Sequence, residues 1–112
     1  MSAENEYNVR ILAGQQYSEA AQLRDEVVVK VIMNGGTGTW SFQEYREQRG
    51  EDSPTWRDVY VDDAQVTFTP GSGRVCGVSP AKPVGGRCPV RIKTSVAQTA
   101  DINVTLITRK FL

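Results

Sequence analysis

The sequence contains no histidine, and this absence excludes a group of chemistries. Histidine is the base of serine hydrolase triads, the commonest metal ligand and the side chain that titrates near neutral pH. A histidine-dependent triad, a histidine-ligated zinc or haem and a histidine pH switch are therefore excluded. The two cysteines fall short of the four ligands that zinc requires, so we predict no metal and no cofactor.

Long hydrophobic runs are also missing. The longest run, Val27–Val29, continues past Lys30 only as far as Met33, whereas a membrane helix needs about 20 apolar residues. The sequence begins with acidic and polar residues, while a secretion signal begins basic and continues apolar. We therefore expect synthesis in the cytoplasm of the host cell and no membrane partner.

The chain also lacks net charge, since 13 basic and 13 acidic side chains cancel. The cancellation conceals an asymmetry between the two parts of the sequence. Residues 1–63 carry six basic and twelve acidic side chains, whereas residues 64–112 carry seven basic ones and a single acid, Asp101. Two interpretations are open: the halves interleave in one fold, or the subunit has an acidic and a basic side and associates head to tail.

Hydrophobic alternation with a period of two runs through the chain and predicts β-strands. The strongest alternation covers residues 26–33, 89–96 and 102–108. Turn residues separate the segments at nearly regular intervals, and no internal repeat is present. This pattern predicts a single all-β domain over residues 1–112, an antiparallel β-sandwich of immunoglobulin-like architecture with seven to eight short strands.

Three local predictions depend on finer patterns. The sequence Asn34-Gly35-Gly36-Thr37-Gly38 is a strong turn signal, so residues 26–45 are predicted to form a hairpin. Strict alternation in its first strand places four side chains on one face, namely Val27, Val29, Val31 and Met33. Residues 17–24 are the one stretch of helix-forming composition, and we expect at most one short helix there, capped by Ser18.

The two cysteines, Cys76 and Cys88, bracket a segment rich in glycine and proline. Two free thiols are the ordinary state in a reducing cytoplasm. A disulfide would instead close this loop, which is worth about 3 kcal/mol in the chain-entropy model. A disulfide would suit a particle that assembles inside a cell and later survives outside it, so both interpretations stay open.

No pattern in the sequence marks a catalytic site. Asp62 and Asp63 are adjacent and would point apart, and the glycine clusters lack the Lys-Ser/Thr ending of a phosphate loop. We therefore predict no enzyme activity and no catalytic, cofactor-binding or metal-ligating residue. Nucleic-acid binding is disfavoured because the basic half offers only Phe68 and Phe111 for stacking on bases.

Protein interaction is the function class that remains. The candidate interface consists of basic residues of the second half and the apolar end of the sequence: Arg87, Arg91, Lys93, Arg109, Lys110, Phe111 and Leu112. If the strands at 89–96 and 102–108 form one sheet, its outer face is positive. The predicted partner is then the acidic surface of a neighbouring protein subunit or of another copy, in a homo-oligomer or a larger assembly.

These expectations combine into a non-enzymatic structural subunit, and the predicted setting is a virus particle. The subunit would be a phage capsid-decorating or tail-associated protein, synthesised in the host cytoplasm and found in the virion. The predicted fold resembles the immunoglobulin-like accessory domains of phage virions in architecture, and no motif carries that likeness. The alternative is a stand-alone module that binds carbohydrate or protein, with Trp40, Tyr45 and Trp56 as a stacking surface.

Overall fold

The computed structural model describes residues 4–46, 55–61, 63–78 and 84–110, which form β-strands and no helix. The strands are β1 (Glu4–Ile11), β2 (Ala21–Gln22), β3 (Glu26–Gly35), β4 (Trp40–Arg46), β5 (Thr55–Asp58), β6 (Tyr60–Val61), β7 (Ala64–Gln65), β8 (Thr67–Phe68), β9 (Gly71–Gly77), β10 (Gly85–Gly86), β11 (Pro89–Thr94) and β12 (Ile102–Lys110). The all-β prediction is confirmed for this part of the chain, but the described residues form twelve strands instead of the predicted seven to eight, because five of the twelve are pairings only two residues long.

Two five-stranded antiparallel sheets contain most of these strands. The first sheet has the order β1-β12-β3-β10, and β9 also pairs with β3. The second has the order β2-β11-β4-β5, and β8 also pairs with β4, while β6 and β7 form a separate ribbon. Val31 and Leu106 of the first sheet share one buried core with Phe42 and Ile92 of the second. This arrangement is consistent with a β-sandwich.

Each sheet contains strands from both charge halves. In the first sheet β12 lies between β1 and β3, and in the second sheet β11 lies between β2 and β4. The two charge halves therefore interleave in one fold, as the first interpretation expects. The two most regular strands of the basic half, β11 and β12, lie in different sheets, so the prediction that they form one sheet with a positive outer face is wrong.

Residues 26–45 do not form the predicted hairpin. β3 pairs within the first sheet and β4 within the second, so the connection between them crosses from one sheet to the other. A two-residue Asn-Gly hairpin turn needs positive φ at both positions. Here Gly35 and Gly36 have φ values of 129° and 114°, but Asn34 has no positive φ. The crossing lets both strands bury apolar side chains in the shared core from opposite sides.

A β-bulge in β3 changes which of its side chains face the core. The adjacent residues Ile107 and Thr108 of β12 pair with Lys30 and Val28, which leaves Val29 as an extra residue. The buried side chains of β3 are Glu26 and Val28 before the bulge and Val31 and Met33 after it. The prediction of one continuous apolar face is therefore wrong, because the extra residue reverses the alternation.

The segment 17–24 is not helical, which is compatible with the expectation of at most one short helix there. Tyr17 forms an isolated bridge to β11, and β2 occupies two further residues of the segment. Ser18 caps no helix: its buried hydroxyl oxygen accepts a hydrogen bond from the backbone N–H of Ile92, at 2.9 Å. These hydrogen bonds to β11 outweigh the weak helix propensity of the segment.

Glu26 is a carboxylate buried at one end of the core, with 1% of its surface exposed. It accepts hydrogen bonds from Thr108 Oγ1 (2.6 Å), Asn5 Nδ2 (2.8 Å), the backbone N–H of Arg24 (3.2 Å) and the Tyr7 hydroxyl. Burial acts to raise the pKa of Glu26, but the hydrogen bonds outweigh it and hold this pKa at about 2. Burial, followed by the bond to Glu26, raises the pKa of Tyr7 to about 12.

Candidate functional site

The outer face of the second sheet carries the most distinctive group of surface side chains in the described residues. Alternation along β11 buries Val90 and Ile92 and directs Arg91 and Lys93 away from the core. Because β4 pairs with both β11 and β5, outward side chains of all three strands adjoin each other. Those of β4 and β5 are Ser41, Gln43, Tyr45, Trp56 and Asp58.

Arg91 lies at the centre of this face, between two aromatic rings. Its Cζ atom is 4.1 Å from the centre of the Tyr17 ring and 4.2 Å from the centre of the Trp56 ring. Its Nε donates a hydrogen bond to Oε1 of Gln43 at 2.8 Å. Gln43 Nε2 in turn donates to Oδ1 of Asp58 at 2.9 Å, which orients the amide. These contacts fix both the plane and the direction of the guanidinium group.

Tyr45 extends this group, since its ring centre lies 5.2 Å from that of Trp56. We call Tyr17, Arg91, Trp56 and Tyr45 the aromatic–arginine row. Tyr17 is 40% and Tyr45 is 38% exposed, so the row is open to a partner. Burial lowers the pKa of Arg91, while the neighbouring Tyr17 acts in the opposite direction. The guanidinium is therefore a partly desolvated cation held on an open sheet face.

A polar cleft of about 370 Å³ opens on the same face. Lys93 and Asp58 line it, with 3.6 Å between Nζ and Oδ1. Its other lining residues are Thr39, Ser41, Gln65, Thr67, Thr94 and Ser95. Hydroxyl, amide, carboxylate and ammonium groups thus converge on one cleft, which is the chemistry that a ligand rich in hydroxyl groups requires.

The predicted interface residues that the structure describes lie on two sheets. Arg91 and Lys93 lie together on the outer face of the second sheet. Arg109 lies in the first sheet, where its Nη2 is 2.8 Å from Oε2 of Glu4 on the neighbouring strand. That ion pair is largely exposed and contributes little, because water screens it.

The remaining predicted interface residues that the structure describes lie near one end of the first sheet, because Gly86 and Lys110 both pair with Glu26 of β3. Arg87 precedes β11 and forms an exposed ion pair with Asp25. Lys110 is the last residue of β12. Phe111 and Leu112 lie outside the described residues. Of the described residues in the predicted interface, Arg91 and Lys93 are the two on the outer face of the second sheet, and the interface itself stays a prediction.

Two of the three aromatics predicted to stack on a ligand lie on the surface. Tyr45 and Trp56 are cross-strand neighbours on the outer face. Trp40 is fully buried, with its ring centre 5.9 Å from that of Phe68, so its proposed stacking role is wrong. The alternation of side chains along β4 explains why Trp40 is buried and Tyr45 is exposed, because residues 40 and 45 of one strand point to opposite faces.

Tyr17 and Gln43 belong to the site although the sequence did not single them out. Gln43 lies two residues from Tyr45 on the same strand, so strand parity alone would have placed it on this face. Tyr17 reaches the site through its bridge to Lys93 in β11. That pairing joins distant segments, and no local signal predicts it.

Cys76 and Cys88 are free thiols in the structure. Cys76 lies in β9 of the first sheet, and Cys88 precedes β11 of the second, and both are buried. Burial, followed by the nearby Glu44 carboxylate, raises the pKa of the Cys88 thiol. A buried thiol of raised pKa reacts slowly.

Within residues 4–46, 55–61, 63–78 and 84–110, no cluster of three or more acidic or cysteine side chains could hold a metal ion. The same residues contain no helix of the length and apolarity that crossing a membrane demands. No family model, curated protein or solved structure matches this chain.

Proposed function

We propose that this chain is a non-enzymatic interaction subunit of a larger protein assembly, and that it binds a protein partner through the outer face of its second sheet. The observation that carries the proposal is the aromatic–arginine row. Tyrosine, tryptophan and arginine are the residue types in which the binding energy of protein interfaces concentrates. The row is held by contacts within the subunit, so binding orders few additional side chains.

An immunoglobulin-like architecture and a virion setting are part of this proposal. The architecture is supported by the two five-stranded antiparallel sheets with a shared core and by the crossing between β3 and β4. The setting, a phage capsid-decorating or tail-associated protein, is supported by the small size and the all-β fold of the chain. The partner in that setting is a capsid or tail subunit, or another copy of this chain.

The double variant Arg91→Glu/Lys93→Glu tests the proposal. The molar mass is measured by light scattering after size exclusion, for the chain alone and for mixtures with each protein encoded beside its gene. We expect the wild type to form a complex of defined stoichiometry, and we expect the variant to lose it. Unfolding transitions verify that the variant is folded, with a loss of about 1–2 kcal/mol from the two cation–π contacts.

The matched control is Arg109→Glu/Lys110→Glu, which changes the net charge equally but lies in the first sheet. This control should retain the complex. A wild-type chain that stays monomeric with every tested partner contradicts the proposal. A complex that survives reversal at residues 91 and 93 contradicts it as well.

Carbohydrate binding is a second candidate, favoured by the polar cleft beside Lys93 and Asp58. Its hydroxyl, amide and carboxylate groups suit sugar hydroxyls. Against it, the Trp56 ring is already contacted by Arg91 and Tyr45. A glycan array followed by melting shifts decides: a sugar that raises the melting temperature of the wild type, but not of Asp58→Ala, would favour this candidate.

A further inference from the structure

We propose that Arg91 receives a carboxylate, from an aspartate or glutamate side chain of the protein partner, end-on between its two terminal nitrogens. This inference rests on the proposed function, because it names the chemical group that the interaction face recognises. Two neighbouring aromatic rings and a hydrogen-bonded glutamine hold the guanidinium of Arg91. Its two terminal nitrogens, which together form a fork of N–H donors, are therefore oriented before a partner binds.

The end-on direction follows from the donors that are already used. A guanidinium has five N–H donors, one on Nε and four on the terminal nitrogens. The Nε–H of Arg91 already donates a hydrogen bond to the side-chain carbonyl of Gln43. A carboxylate therefore cannot approach side-on, because that approach needs the Nε donor. Among the residues that the structure describes, none accepts a hydrogen bond from the terminal nitrogens. Two parallel N–H···O bonds to one carboxylate fit this free edge.

Gln43 acts as a positioning residue. Its carbonyl faces Arg91 because its amide nitrogen is bound to Asp58, at 2.9 Å. The chain Asp58–Gln43–Arg91 fixes the rotation of the guanidinium about its long side chain, so a carboxylate meets an oriented fork. Ordering a free arginine side chain on binding would otherwise reduce the affinity.

Charge favours a carboxylate over a polyphosphate. Lys93 adds a second positive charge to the face, but Asp58 lies 3.6 Å from it and contributes a negative one. A phosphate-rich backbone would be repelled by that carboxylate and would find few cations to neutralise it. A single carboxylate needs only the fork of Arg91.

The experiment titrates the full chain with a short end-blocked peptide of alternating glycine and glutamate, and follows the Nε–H signal of Arg91 and the indole N–H signal of Trp56 by NMR. We expect both signals to shift saturably. Arg91→Lys, which keeps the charge but removes the fork, should weaken binding by about tenfold or more. Gln43→Ala should weaken it several-fold without changing the charge.

Arg74→Lys, an exposed arginine on β9, is the matched control and should bind the peptide like the wild type. A peptide with glutamine in place of glutamate and a free carboxyl end tests whether a chain terminus supplies the carboxylate instead of a side chain. A single-stranded oligonucleotide tests whether a phosphate binds instead of a carboxylate. The inference is overturned if the glutamate peptide causes no saturable shift, if Arg91→Lys binds it unchanged, or if either alternative probe binds as tightly.

The two proposals can fail separately. If the chain forms a complex through residues 91 and 93 but does not bind the glutamate peptide, the carboxylate inference is refuted and the interaction function stands. A chain that binds the peptide through Arg91, yet forms no complex with any tested protein, refutes the proposed function and keeps the carboxylate site.

Discussion

Glu26 carries its charge inside the end of the core, where a charge is normally unfavourable. Donors from Asn5, Tyr7, Arg24 and Thr108 surround the carboxylate, so the ionised form is the stable one. These partners come from β1, β12 and the segment before β3. The carboxylate thus joins three parts of the first sheet through hydrogen bonds that only an ionised group can accept together.

Replacing Glu26 by glutamine should lower the free energy of unfolding at neutral pH by about 2–3 kcal/mol, because the amide hydrogens oppose donors such as Thr108. The folded pKa of about 2 lies below the ordinary value of 4.5. The stabilisation is therefore complete above pH 4.5 and is lost as the pH falls towards 2. Urea unfolding at a series of pH values should show the two proteins converging across that window.

The control for this prediction is Glu6→Gln, on the exposed side of β1. Its stability should stay within about 0.5 kcal/mol of the wild type. If Glu26→Gln is as stable as the wild type at neutral pH, the hydrogen bonds to the carboxylate do not contribute what the structure indicates.

The cysteines give a second prediction for single residues. Because Cys76 and Cys88 are buried free thiols, the native chain should react slowly with a thiol reagent, and the unfolded chain should react twice. Intact mass after alkylation in denaturant measures the adducts. Two adducts with and without prior reduction are expected, whereas adducts that appear only after reduction would show that a disulfide had formed.

Between β3 and β4, glycine is needed where the chain crosses from one sheet to the other. At Gly36 the φ is +114°, and an added Cβ would lie 2.5 Å from Cζ2 of Trp40. Trp40 is fully buried in the shared core, so it has little room to move. Backbone strain and steric overlap therefore coincide at this position.

Gly36→Ala should accordingly destabilise the fold by about 2–4 kcal/mol. Gly77→Ala is the matched control, because an added Cβ there has no atom within 4 Å and the backbone has no positive φ. Thermal or urea unfolding of both variants measures the effect. Equal stability of the two variants would contradict the tight approach of Gly36 to Trp40.

The elements also show how far the sequence could predict this fold. Period-two alternation located β11 and β12 well, because neither strand departs from it along most of its length. It failed in β3, where the bulge at Val29 reverses the alternation. The glycine-rich turn signal also failed to predict the connection after β3, because it indicates a change of chain direction but not which sheet receives the next strand.

At the scale of the whole molecule, the structure joins two surfaces that were separate hypotheses. The sequence suggested Arg91 and Lys93 as an interface, and Tyr45 and Trp56 as a stacking surface, for two different functions. All four lie on the outer face of the second sheet, and Arg91 contacts Trp56 directly. Strand parity could have predicted each direction, but the adjacency depends on pairing between β4, β5 and β11, which the sequence does not reveal.

The place of β12 in the first sheet governs when this protein can fold. β12 lies between β1 and β3, yet it is the last of the described strands to be synthesised. Until the ribosome has released it, β1 lacks its pairing partner and Glu26 lacks the Thr108 hydroxyl. Pairing between strands this distant in sequence is slow, because a long loop must close first. A chain that stops before Ile102 should therefore show no cooperative unfolding transition, and folding is expected only after synthesis has passed β12.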